Sequence, residues 1–304
     1  MNRIGLVLHP GRDCSGAVGQ VAAWTSSHGV ELVAAADDVA RLGVSGVTWV
    51  SVDELARTTN GLIALGGDGT LLGAMRLVSS RPVPVLGVNF GRLGFLTEVE
   101  GAELDAALMA LAEGRSTTEE RSCLVVRHGE TESLAFNDVV LARVPGEGMV
   151  EANLTVGGRR YGHYRCDSLI AATPMGSTAY AYAAGGPVVS PGVAGILVTP
   201  SAPLSGISRS VLLGPAEPLR LELTAGRPAF ELDGVLTGRV HPGEVLDVVL
   251  RPAAGLLVRI DGSAADARSR VKLSLLDLPL LPQELLELVP EGLRPRTEQV
   301  TEPG

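Results

Sequence analysis

The segment Leu62-Ile63-Ala64-Leu65-Gly66-Gly67-Asp68-Gly69-Thr70-Leu71-Leu72 constrains the fold more than any other stretch of the chain. An apolar run of strand character stops abruptly at Gly-Gly-Asp-Gly-Thr, and a helical segment, Leu71–Val78, follows. Gly66, Gly67 and Gly69 leave backbone N–H groups uncovered and permit positive φ, so a tight turn against an anion is expected. The helix would aim its N-terminal dipole at the same point. A carboxylate inside such a cradle is electrostatically awkward, which suggests that Asp68 takes a proton or helps to hold a metal. A strand-to-helix turn with Asp68 near the N-cap is the plainer reading of the same residues. The glycine spacing matches neither the Rossmann fingerprint nor the Walker loop with its lysine.

Around this unit the first hundred residues alternate strand and helix. Ile4–Leu8, Val30–Ala35, Val47–Val50, Gly61–Leu65 and Val83–Val88 read as short apolar strands. Ser15–Ser27, Val52–Arg57, Leu71–Val78 and Glu103–Ala112 read as helices. That rhythm predicts a doubly wound parallel sheet covered on both faces, with a ligand crevice beyond the carboxyl ends of its strands. Asn89, in the glycine-rich turn Gly87–Glu98, would line the same crevice, unless that turn is a surface loop pinned by Phe95.

Glu113-Gly114-Arg115-Ser116 marks the expected boundary, giving an α/β domain over 1–115. Cys123–Arg127, Ala135–Val144, Glu151–Val156, Leu169–Ala172, Leu219–Leu223, Phe230–Leu232, Val245–Leu250 and Leu256–Ile260 are strands separated by turn residues. They predict a mainly antiparallel β domain over 116–265. The exception is Ser177–Ala184, a short Ala-rich helix capped by Ser177 or Thr178. Residues 266–304 are expected to be an extension with one helix, Pro282–Val289, and a Pro-, Glu- and Arg-rich end of disordered composition.

With 45% hydrophobic and 19% charged residues, the 304-residue chain is globular and carries no apolar run long enough to span a membrane. Its net charge of −9 argues against a general nucleic-acid binder. Cys14, Cys123 and Cys166 form no metal-ligand spacing and no even disulfide set, which fits a reducing cytoplasm. Lys272 is the only lysine, so a Lys-dependent phosphate site would have to use it. The five histidines show no ligand spacing and are assigned structural roles.

Four polar sites stand beside glycine turns or strand ends: Asp68, Asn137-Asp138, Asp167 and Asp233-Gly234. Asn137-Asp138 interrupts an apolar strand, and a buried amide–carboxylate pair must find partners. A ligand's base edge and sugar hydroxyls would supply them; a β-bulge or strand-edge turn is the alternative. Thr173-Pro174-Met175-Gly176-Ser177-Thr178-Ala179-Tyr180 resembles a helix start whose exposed N–H groups could meet ribose or phosphate, or an ordinary cap. Asp233-Gly234 reads most simply as a hairpin turn.

Taken in order, these segments resemble the NAD kinase family from about Ile4 to Lys272. The carriers are Gly66–Thr70, Asn89–Glu98, Asn137-Asp138, Asp167–Tyr180, Ala184-Gly185-Gly186-Pro187 and Asp233-Gly234. The first motif alone is shared with diacylglycerol, sphingosine and 6-phosphofructokinases; the ordered set is far more specific. The resemblance implies an N-terminal α/β domain, a C-terminal β domain, and a homodimer or homotetramer binding the dinucleotide between domains. It implies phosphoryl transfer from ATP or polyphosphate to the adenosine 2′-hydroxyl of NAD, with Mg²⁺ or another divalent cation whose ligands remain unassigned. By the same resemblance Asp68 would be the base, with Gly67, Gly69, Thr70 and Asn89 around it. Asn137 would contact adenine and Asp138 the ribose. Asp167 would lie toward nicotinamide, with Ser177, Thr178, Ala179 and Tyr180 lining the site.

Departures fall on ligand-facing positions. Asp138 stands where the family usually has Glu, Ser168 for Gly, Met175 for Thr and Gly73 for a common Arg, with Arg76 nearby. Pro200–Ser210 keeps Arg209 but has no histidine. Two alternatives therefore accompany the kinase reading. One is a kinase of the same superfamily with another hydroxyl acceptor, such as a lipid or modified nucleoside. The other is a non-catalytic dinucleotide-binding module.

Overall fold

The computed structural model describes residues 2–36, 38, 45–90 and 96–260. Gly91–Phe95, Lys272, the helix expected over Pro282–Val289 and the C-terminal tail lie outside the described residues.

The chain opens with β1 (Arg3–Leu8), α1 (Ser15–Ser27), β2 (Glu31–Ala35), β3 (Thr48–Val50) and α2 (Val52–Thr58). It continues through β4 (Gly61–Gly66), α3 (Asp68–Leu77), β5 (Pro84–Asn89), β6 (Val99–Glu100) and α4 (Leu104–Ala112). Local chemistry sets these boundaries. Ser51 Oγ caps α2 by accepting the Glu54 N–H at 3.1 Å, and Asp53 and Glu54 sit in its positive first turn. β1, β2, β3, β4 and β5 pair in parallel in the order 3-2-1-4-5. Helices cover both faces as expected. Val18, Val21, Leu104 and Leu108 pack on Leu6 and Leu65, whereas Leu71, Leu72 and Met75 pack on Leu62, Ala64 and Val85.

The second half consists of β7 (Thr117–His128), β8 (Thr131–Ala135), β9 (Asp138–Ala142), β10 (Val150–Val156), β11 (Arg159–Cys166) and β12 (Ser168–Ala172). Then come the short helix α5 (Tyr180–Ala183), β13 (Ile196–Ser201), β14 (Ser205–Gly206), β15 (Val211–Leu213) and β16 (Leu219–Ala225). β17 (Ala229–Leu232), β18 (Val235–Arg239) and β19 (Val245–Arg259) complete it. Among the described residues, an antiparallel sheet runs β15-β13-β12-β9-β17-β18. Its inner face, with Val139, Leu141, Leu169, Ala171 and Phe230, meets Leu124, Leu154, Leu221 and Val248 from the larger sheet.

Several expectations are corrected. The strand expected over Ala135–Val144 is two strands in two sheets. β8 pairs with β7, β9 pairs with β12 and β17, and the chain changes sheet at Phe136-Asn137. The strands expected at 245–250 and 256–260 are one bent strand, because a register shift between Arg251 and Gly255 absorbs the turn residues. That strand pairs with β16 and β7, and in parallel with β5 through Leu256 and Leu257. The Glu113–Ser116 turn lies between α4 and β7, and residues 1–260 cluster as one compact unit, so the two halves are described together. Among the described residues, no helix is long and apolar enough to cross a membrane.

Candidate active site

The Gly-Gly-Asp-Gly-Thr motif runs from the end of β4 at Gly66 directly into the first turn of α3, with no loop between. Gly67 is the N-cap in extended conformation, and Asp68, Gly69 and Thr70 are already helical. Gly66, Gly67 and Gly69 do not use positive φ, contrary to the expectation. Their value is steric. A Cβ on Gly66 would lie 2.2 Å from Thr70 Oγ1, whereas Gly67 and Gly69 face open space and leave the helix start bare. Asp68 is half-buried there, its Oδ1 accepting backbone N–H groups from Leu96 at 3.0 Å and Thr97 at 3.2 Å. Asn89, buried at the end of β5, donates through Nδ2 to Glu100 at 3.3 Å.

The Leu96–Thr97 backbone is itself held from behind. Glu98, 2% exposed at its side chain, accepts from Arg259 Nη1 at 2.6 Å, and Arg259 Nε donates to Glu119 at 2.8 Å. Burial alone would lower the pKa of the Arg259 guanidinium, but Glu119 and Glu98 outweigh it and hold the group above its ordinary value.

Asn137 and Asp138 occupy the sheet crossover. Thr173 donates its N–H to Asn137 O at 2.9 Å and its hydroxyl to Phe136 O at 2.6 Å. The same hydroxyl accepts the Gly176 N–H at 3.0 Å. Gly176 lies flat against the crossover, and a Cβ there would stand 2.0 Å from Asn137 O. On the other side Asp233 accepts N–H groups from Phe136, Asn137 and Asp138 at 3.0, 2.6 and 3.2 Å and pairs with Arg76 of α3. Asp233-Gly234 is a hairpin turn as expected, with φ 49° and 74°, but its carboxylate does more than turn the chain.

Two polar groups of the crossover are left for something else. Asn137 Oδ1 is buried and has no hydrogen-bond partner. The Asp138 carboxyl is pushed up to about 7, chiefly by burial, with the Asp233 and Glu231 carboxylates adding to it and the Tyr180 N–H opposing. A buried acceptor without a protein donor is uncommon in folded proteins and calls for a partner.

Asp167 sits at the opposite end of β12, where its carboxylate pairs with Arg143 at 2.9 Å, both about half exposed. Asp138 is level with Ala172 and Asp167 precedes Ser168, so about five residues of strand, roughly 17 Å, separate them. Tyr180 reaches between the two ends. Its N–H meets Asp138, and its hydroxyl lies 3.2 Å from Ser168 Oγ. The capping role expected of Ser177 or Thr178 is not found. α5 starts after Ala179 without a side-chain cap, and a 3-10 turn, Met175–Thr178, precedes it. Ser177 is fully buried, donating to Pro174 O at 2.7 Å and accepting the Val189 N–H at 2.9 Å. Thr178 Oγ1 donates to Met175 O at 3.4 Å, and Ala179 donates its N–H to Gly176 O at 2.9 Å.

Sequence reasoning missed the supports: Arg76, Thr173, Gly176, Arg259 and the Leu96–Thr97 amides. Thr173 and Gly176 lay in a motif already singled out and Arg76 stood near the first motif, but none of them showed a supporting role in the sequence.

Comparison with known proteins agrees with this architecture. Residues 47–116 match the ATP-NAD kinase N-terminal domain, and residues 136–259 match the ATP-NAD kinase C-terminal domain. NAD kinase 1 of Streptomyces avermitilis is 34% identical over 322 aligned positions, covering 92% of this chain and 89% of that protein. A NAD kinase of Burkholderia vietnamiensis is 38% identical over 204 residues, covering 66% of this chain and 68% of its own. The crystal structure of yeast NADH kinase complexed with NADH superposes with a TM-score of 0.83 at 21% identity, covering 92% of this chain and 90% of that one. An Archaeoglobus fulgidus NAD kinase in complex with ATP gives 0.68 at 24% identity, over 90% and 98%. At these identities the two structures speak for the fold, and the sequence matches carry the assignment: the chain belongs to the NAD kinase family and is an enzyme that transfers a phosphoryl group to NAD.

Proposed function

We propose that the acceptor is the adenosine 2′-hydroxyl of NAD and that ATP, or polyphosphate, is the donor. The observation that carries this reading is the crossover itself, where an orphan amide oxygen on Asn137 adjoins a buried carboxyl on Asp138. An adenine amino group would satisfy the first, and ribose hydroxyls would donate to the second. Both ligand groups are donors, and both protein groups are acceptors.

In the reaction the 2′-oxygen attacks the terminal phosphorus of the donor, the bond to the leaving phosphate oxygen breaks, and the hydroxyl proton passes to Asp68. Fixing Asp68 by two backbone N–H groups holds its carboxylate at the bare start of α3, where the helix dipole also favours phosphate. Such chemistry needs positioning and charge neutralisation more than covalent participation. Mg²⁺ would supply part of that neutralisation. Among the described residues no cluster of three His, Cys, Asp or Glu side chains could hold a metal. Mg²⁺ would then be carried by the donor's phosphates, leaving the Asp68 carboxylate to take the proton. Gly67, Gly69 and Thr70 would face the phosphates. Tyr180 would line the dinucleotide between Asp138 and Asp167, and Ser177, Thr178 and Ala179 would contribute backbone. A cytoplasmic homodimer or homotetramer is part of the proposal, and the three buried free cysteines accord with a reducing compartment.

The test is a 2′-phosphorylation assay on purified protein. NAD and NADH are offered separately with ATP or polyphosphate and Mg²⁺, and product is read by an NADP-specific dehydrogenase. Product with the wild type and turnover at least about 10²-fold slower with Asp68→Asn supports the reading and ranks the donors. NAD binding without product from any pair would replace it with a binding module.

A further inference from the structure

The side chain of Asp233, at the tip of the β17–β18 hairpin, is 1% exposed. Its two oxygens serve four donors: the backbone N–H groups of Phe136, Asn137 and Asp138, and Nη1 of Arg76. Phe136 and Asn137 lie between two strands of different sheets, so the carboxylate stands in for a strand neighbour at the point where the chain changes sheet. Arg76 belongs to the last turn of α3, the helix that begins at Asp68. One ion pair therefore joins the helix carrying the proposed base to the backbone carrying the proposed acceptor contacts, across 157 residues of sequence.

The pair also sets the charge around Asp138. The groups that face that carboxyl are the Asp233 and Glu231 carboxylates and the Tyr180 N–H. Arg76 pairs with the Asp233 carboxylate.

We propose that the Arg76–Asp233 ion pair is the positioning device for acceptor recognition, holding the 136–138 crossover to the Asp68 helix and balancing the charge that Asp138 meets. This rests on the reading of Asp138 as the ribose carboxylate. Neither member of the pair touches substrate; both act through the crossover.

The experiment is kcat/KM for NAD as a function of pH, which reports the free enzyme. It is run on the wild type, Asp138→Asn, Asp233→Asn, Arg76→Met and Arg76→Lys, with thermal melts alongside. Activity of the wild type should fall on the acid side of about pH 7 as Asp138 takes a proton, and Asp138→Asn should flatten that limb. Asp233→Asn removes a negative neighbour and should move the limb down by about one pH unit, whereas Arg76→Met leaves Asp233 unbalanced and should move it up by about as much. Arg76→Lys keeps the charge and should leave the limb within about half a unit of wild type. A merely structural role would lower activity in all three variants without opposite displacements. An unmoved limb in both Asp233→Asn and Arg76→Met, with the limb still abolished by Asp138→Asn, would overturn this inference and leave the acceptor reading standing. Persistence of the limb at the wild-type midpoint near pH 7 in Asp138→Asn would overturn both. Should Asp233→Asn fail to fold, the contrast between Arg76→Met and Arg76→Lys decides alone.

Discussion

The carboxylate of Asp68 accepts the backbone N–H of Leu96 at 3.0 Å, so the first residue of α3 is pinned by a segment 28 residues further along the chain. The Thr97 N–H adds a second contact to the same oxygen. Both interactions ask only for an acceptor, which an asparagine oxygen also provides. Asp68→Asn should therefore keep the fold and bind NAD with little change while kcat falls by about 10²–10⁴-fold, the range of a lost general base. Steady-state assay and isothermal titration together check this. Undiminished turnover would remove Asp68 from the mechanism.

Asp138 sets a conflict between binding and stability. Its carboxyl is raised from 3.8 in the unfolded chain to about 7, chiefly by burial, so the folded state resists its ionisation. Stability from this group is thus complete below about pH 4, declines as pH rises between the two values, and is lowest above 7. Asp138→Asn removes that decline. It should melt higher than the wild type at pH 8, gaining on the order of a few kcal/mol, while KM for NAD rises at least about tenfold. Melting curves at pH 5 and pH 8 measure the first, with the two proteins converging at the lower pH.

Gly176 leaves no room for a side chain. A methyl group would overlap Asn137 O, its carbon and its Cα, all backbone atoms fixed by Thr173 and Asp233. Gly176→Ala should destabilise by about 3 kcal/mol or more, read as a lower urea midpoint, and should weaken NAD binding more than donor binding. An unchanged midpoint would mean that the crossover yields freely.

Arg259→Met tests the support behind Leu96 and Thr97. Glu98 is almost wholly buried, and removing a charged partner from such a group costs about 3–5 kcal/mol. Urea denaturation should show that loss. In the protein that remains folded, kcat should fall more than KM for NAD, because the segment that orients Asp68 is loosened.

The parallel half was legible because its strands are continuous apolar runs and its helices begin and end on ordinary signals. The crossover was not. Asn137-Asp138 marks the place as a polar interruption, but such a pair reads equally as a bulge within one strand, so the change of sheet itself does not show in Ala135–Val144. Arg159–Cys166 escaped for the opposite reason, as an edge-side strand whose exposed residues are arginines, tyrosine and histidine. In the site, Asn137-Asp138 announced itself as a polar interruption. Ser177 was expected to meet a ligand, yet its hydroxyl is taken up by Pro174 and Val189. Asp233 looked like a turn residue, and only the fold brings its carboxylate to residues about a hundred positions earlier.

The long strand β19 has a bearing on synthesis. Its last segment lies beside β5, pairing Leu256 with Pro84 and Leu257 with Val85. β6 soon covers the Val88–Asn89 end of that side, but as the chain emerges from the ribosome the Pro84–Val85 end stays an open edge until about 170 further residues have followed. An open apolar strand edge is a template for pairing with other chains. The parallel half, though translated first, completes its sheet last, and a nascent chain halted before residue 256 should be a client for chaperones rather than a folded domain.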